Sequence, residues 1–113
     1  MSYPVIFSTP GVRQFAEDMD TERQRQIAKF GEQHRPDGTG GSGAQYAADR
    51  YRSIVDHAFK TSDGPTWRDV LLEEVYEALA ENDLARLRAE LVQVAAVCAA
   101  WAADLDSRKD QTT

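Results

Sequence analysis

Beyond residue 9, apolar positions recur at helical spacing and not at the alternating spacing of strands. Val12, Phe15, Ala16 and Met19 predict a first helix, started by Thr9-Pro10 as a capping hydroxyl followed by proline in the first turn. Only Ile27 and Phe30 carry the seam onward, to about Gln33, in one long helix or two joined near Asp20. Tyr46, Ala47, Tyr51, Ile54, Val55, Ala58 and Phe59 predict a second helix from about Ala44 to Phe59, stopped by the turn cluster at Thr61–Pro65. Thr66-Trp67-Arg68-Asp69 resembles a capping box and starts a third helix, Trp67 to about Glu81. Asn82-Asp83 breaks the chain and caps a fourth helix, Leu84 to about Leu105. On it Leu84, Leu87, Leu91, Val94, Cys98, Trp101 and Leu105 form a seam of alternating 3-4 spacing. Alanines at 95, 96, 99, 100, 102 and 103 widen that face, which suggests burial both by the chain itself and by a second subunit. The expected architecture is an all-α helical bundle: a short β-like arm at 1–9, a single helical domain at 10–106, and a polar, flexible tail at 107–113.

Composition narrows the possibilities. A chain of 113 residues with 42% hydrophobic residues has one small core, and domains of this size often gain stability by oligomerising. The formal charge of −6 argues against a nonspecific nucleic-acid binder, which needs a basic face. The single cysteine, Cys98, has no internal disulfide partner and reads as a buried thiol in a reducing compartment. No apolar run approaches the roughly 20 residues of a membrane span. MSYPVIFSTP also lacks the basic region of a signal peptide, so a cytoplasmic protein is expected.

Four of the seven glycines fall at 38, 40, 41 and 43. Gly38 to Gly43 formally matches G-x-G-x-x-G, but a polar helix precedes it where a dinucleotide fold needs a strand. No Gly-Lys-Ser/Thr follows, so a P-loop fails as well. The segment reads as a flexible connection whose amides, or Arg35, are free to touch a phosphate.

The chemistry lies in a repeated pattern. Leu71-x-x-Glu74-Val75-x-Glu77 recurs sixteen positions later as Leu87-x-x-Glu90-Leu91-x-Gln93. At 3.6 residues per turn, the first polar residue of each copy sits roughly 300° from its leucine and the second roughly 240°. Two such helices packed antiparallel bring Glu74, Glu77, Glu90 and Gln93 towards one place. Converging carboxylates beside a core are costly unless a cation neutralises them, and oxygen ligands suit a hard cation such as Mg2+. The same glutamates also suit a solvated acidic face, with Arg86 and Glu90 paired one turn apart. His34, His57 and Cys98 show no zinc spacing.

Glu74-Val75-Tyr76-Glu77, twelve intervening residues, then Glu90-Leu91-Val92-Gln93 resembles the E-x-x-E, E-x-x-D motif of the MazG-like, all-α nucleoside triphosphate pyrophosphohydrolases. Leu72-Glu73 before it, and Leu91 and Val94 within and after it, match the family's apolar framing. The segment from Lys29 to Gly38 looks like the N-terminal half of small members.

The resemblance implies a MazG-like bundle completed as a homodimer or a dimer of dimers. It implies hydrolysis of a nucleoside triphosphate to monophosphate and pyrophosphate, clearing nucleotides from the pool. Glu74, Glu77, Glu90 and Gln93 would hold Mg2+, or Mn2+ in its place. Glu73 would join them in catalysis, binding a second ion or accepting the water's proton. Lys29, Arg35, Arg50 and Arg52 are the candidates for holding the phosphates. Tyr51 or Trp67 would stack on the base if not used in the core. Gln93 stands where the family has Asp, which brings no charge and implies weaker metal binding, fewer ions or lost catalysis. The alternative is then an impaired MazG-like module that binds nucleotide or a partner protein. A purely structural helical dimer is a third possibility.

Overall fold

The computed structural model describes residues 7–111, with side chains as far as residue 109. Residues 1–6 of the expected arm and residues 112–113 of the expected tail lie outside the described residues. The described chain is all-α, with four helices: α1 Val12–Phe30, α2 Ser42–Thr61, α3 Trp67–Ala80 and α4 Leu84–Gln111. None is long and apolar enough to cross a membrane.

The described chain divides into two compact units. One comprises the described residues to Pro36 together with those from Ala99 onward; the other is Asp37–Cys98.

In the first unit, α1 is a single helix with no break at Asp20 and no buried residue. Its surface is tied by pairs one turn apart, Arg13 with Glu17, Gln14 with Asp18, Gln24 with Asp20 and Arg25 with Glu22. It starts later than Thr9-Pro10 predicts. Gly11 is the N-cap, at φ 85°, and the Thr9 carbonyl accepts only a turn bond from Val12 N. A Cβ built on Gly11 would lie 3.0 Å from Ala103 Cβ, so both backbone angle and space favour glycine. The helix ends at Phe30, three residues before the expected Gln33, where Gly31 N–H donates to the Ile27 carbonyl. α4 continues helical to Gln111, past the expected end at Leu105, so the stretch 107–111 is helix. Arg108 pairs with Asp104 one turn back and supplies positive charge at the helix C-terminus.

The second unit holds the chemistry. Its core is small: Ala48 and Val55 from α2, Ala78 from α3 and Leu87 from α4. Tyr51 stacks on Tyr76 across α2 and α3, centroids 5.5 Å apart, so this tyrosine serves packing. The caps read from the sequence at Thr66 and Asp83 are present. The Thr66 side chain accepts from Asp69 N at 3.2 Å, and the Asp83 carboxylate from Arg86 N at 2.9 Å. In the turn between α3 and α4, Glu81 Oε1 accepts from the N–H groups of Asn82 and Asp83. The glycine-rich connection is anchored where a flexible loop was expected: Gly40 N–H donates to the Leu79 carbonyl at 2.7 Å. At φ 93°, a Cβ on Gly40 would lie 2.2 Å from Asn82 Oδ1. The seam of α4 is only partly covered within one chain. Leu87 is buried and Val94, Cys98 and Trp101 are half-buried, whereas Leu84 and Leu91 are exposed.

Candidate metal centre

Three of the four residues of the repeated polar pairs come together. One carboxylate oxygen from each of Glu74, Glu77 and Glu90 lies within 4.8 Å of the others, and all three residues are half-buried. Glu74 and Glu77 share a face of α3 one turn apart, and Glu90 reaches them from α4 across the short turn at Glu81–Asp83. Gln93, one turn beyond Glu90, is exposed.

The third wall comes from α2. Arg52 forks between two carboxylates, Nη1 donating to Asp49 Oδ1 and Nη2 to Glu77 Oε1, each at 3.1 Å. A polar cleft of about 190 Å³ lies here, lined by Glu77, Glu81 and Glu90 with Gln45 and Arg52, alongside Ala48 and Ala80. A larger hollow of about 530 Å³ on α2, lined by Tyr46, Asp49, Arg50, Ser53, Ile54 and His57, is mainly apolar and open. The smaller cleft is the one suited to a hydrated cation or a phosphate.

Electrostatics agree with geometry. Partial burial, then the neighbouring charges of Glu77, Glu73 and Glu90, hold the Glu74 carboxyl above its ordinary range. Burial raises Glu90 too, reinforced by Glu77 and Glu81 and opposed by Arg52. Glu73 is raised by burial, then by Glu77 and by Asp56 on α2, with Arg52 again opposing. The Arg52 guanidinium is held above its usual value chiefly by its hydrogen bond to Glu77.

The donor set fits a hard divalent cation. Mg2+ needs oxygens at about 2.1 Å, which puts octahedral neighbours about 3 to 4.2 Å apart. Three oxygens within 4.8 Å of one another are close to that spacing.

Arg50 lines the apolar hollow. Lys29 and Arg35 belong to the first unit, Lys29 with its ammonium 5.1 Å from the Phe30 ring centroid and Arg35 donating to Gln33. His34 is exposed, 3.5 Å from Glu32, and Cys98 is half-buried where a buried thiol was expected. Asp49 and Gln45 were not read from the sequence as site residues. The i, i+3 spacing of Asp49 and Arg52 was the available signal for that pair.

Fold and site together define an all-α protein carrying a three-glutamate cluster with an arginine at its edge. No family model matches the chain, and neither a curated protein nor a solved structure matches it.

Proposed function

We propose that this chain is a MazG-like, Mg2+-dependent nucleoside triphosphate pyrophosphohydrolase. The observation that carries the reading is the convergence of Glu74, Glu77 and Glu90, residues of the motif that prompted it. Glu74, Glu77 and Glu90 hold the ion, with Mn2+ able to replace Mg2+. When bound, the ion polarises a phosphate oxygen and lowers the pKa of the attacking water. Glu73, its carboxyl raised by burial, lies beside Glu77 and takes the water's proton. The water oxygen bonds to phosphorus at the α–β anhydride, the bridging P–O bond breaks, and monophosphate and pyrophosphate leave. Arg52 lines the cleft, which supports it as the residue that meets the phosphates.

Gln93 favours a second reading, an impaired module that binds nucleotide without turnover, because the fourth motif position contributes no charge. Pyrophosphate release from a panel of ribo- and deoxyribonucleoside triphosphates, with Mg2+ or Mn2+, separates the two. The enzyme reading expects metal-dependent release that Glu74→Ala abolishes. Binding without release selects the module, and Gln93→Asp then tests whether position 93 is the defect. Exposed Leu84, Leu91 and Val92 on α4 support pairing of two copies, which light scattering measures directly.

A further inference from the structure

Arg52 differs from the other basic candidates in already being bound to a carboxylate of the cluster. Its guanidinium bridges Asp49 on its own helix and Glu77 on α3. Glu77 is thus shared: its oxygen belongs to the group of three within 4.8 Å, and it accepts from Arg52 at 3.1 Å. A fork that spans two carboxylates fixes the guanidinium beside the cluster, which a lysine ammonium cannot reproduce. The Arg52 side chain is 47% exposed, so it can leave Glu77 without opening the core.

Resting on the metal-centre reading above, we propose that Arg52 is a resident counter-cation: it neutralises Glu77 in the metal-free protein, competes with the divalent ion for that carboxylate, and on release turns its fork to the substrate's phosphates. In the metal-free state, Arg52 supplies the positive charge that three converging glutamates need. A divalent ion then enters against one fixed positive charge a few ångströms away. Asp49 keeps hold of the guanidinium after Glu77 is released, so Arg52 remains at the mouth of the cleft. Phosphate oxygens then accept from the Nη2 group that Glu77 has released, as its carboxylate oxygen did. Metal and nucleotide then favour each other's binding, because the ion frees the arginine that the phosphates use.

The test compares wild type, Arg52→Gln and Arg52→Lys. Mg2+ binding is measured by calorimetry, melting is followed in EDTA and in Mg2+, and binding of an α,β-imido nucleoside triphosphate is measured with Mg2+ present. Arg52→Gln is expected to bind Mg2+ alone more tightly, on the order of threefold to tenfold for removing one positive charge near a divalent ion in a site open to water. It should melt lower than wild type in EDTA, recover more on adding Mg2+, and bind the imido analogue more weakly. Arg52→Lys keeps the charge but loses the fork, so its Mg2+ affinity should stay near wild type while the analogue still binds weakly. If wild type binds Mg2+ and Arg52→Gln binds it no more tightly, the counter-cation role is wrong and the metal centre stands. Unchanged analogue binding in Arg52→Gln overturns the transfer to phosphate. If wild type binds neither Mg2+ nor Mn2+, the metal-centre reading itself falls, and this proposal falls with it.

Discussion

Glu74→Gln gives opposite signs with and without metal. Glu74 faces Glu77 and Glu90 with ligand oxygens no more than 4.8 Å apart. Two unit charges at 4.8 Å in bulk water repel by about 0.9 kcal/mol. Ionic screening and the Arg52 charge beside Glu77 lower that figure and partial burial raises it, so the two pairs together leave a net repulsion of about 1 kcal/mol on Glu74. The amide keeps the side chain's shape and removes the charge. Metal-free Glu74→Gln should therefore be more stable than wild type at neutral pH by about 1 kcal/mol, a melting shift of about +4 °C at this chain length. Under Mg2+ the order reverses. Wild type gains about 1.4 kcal/mol at tenfold excess over its Kd, and the variant gains much less because one charged ligand is missing. Thermal melts of both proteins in EDTA and across a Mg2+ series measure this. A variant that melts at or below wild type in EDTA, or that keeps the full Mg2+ shift, would refute the idea that these carboxylates repel one another around a shared cation.

Three further outcomes follow from the same structure. Because Glu73, Glu74 and Glu90 have folded-state pKa values raised above the ordinary 4.5, the folded state holds protons more tightly than the unfolded chain. Their contribution to stability is full below that range and is lost as pH rises through the raised values, so the melting difference between metal-free Glu74→Gln and wild type should grow from about pH 4 to about pH 7. Ala78, 2% exposed on α3, has no room for a larger side chain, so Ala78→Leu should cost about 1–3 kcal/mol in urea unfolding. Gly40→Ala should destabilise more than Gly41→Ala in the same assay, since both have positive φ but only Gly40 meets a neighbour, Asn82 Oδ1 at 2.2 Å.

The amino-acid sequence by itself determined the helical class, the turn clusters and the caps at Thr66 and Asp83. These are local properties, set by side-chain spacing and by hydrogen bonds spanning at most a few residues. It also carried the shared offset of Glu74 and Glu77 on one helix and Glu90 on the next, but whether these meet depends on how α3 and α4 lie against each other. Helix ends were less legible. Gly11 displaced Thr9-Pro10 because the close approach of Ala103, distant in sequence, rewards a residue without a side chain. Only the tertiary structure decided how each face is used. It left Leu84 and Leu91 exposed in a seam that reads as continuous, stacked Tyr51 on Tyr76, and tied Gly40 to Leu79. It also set Arg52 against Glu77, a contact 25 residues apart in the chain. Spacing along one helix fixes which side chains share a face, but the partner that face meets depends on where another helix lies, and that is set by packing of the whole unit.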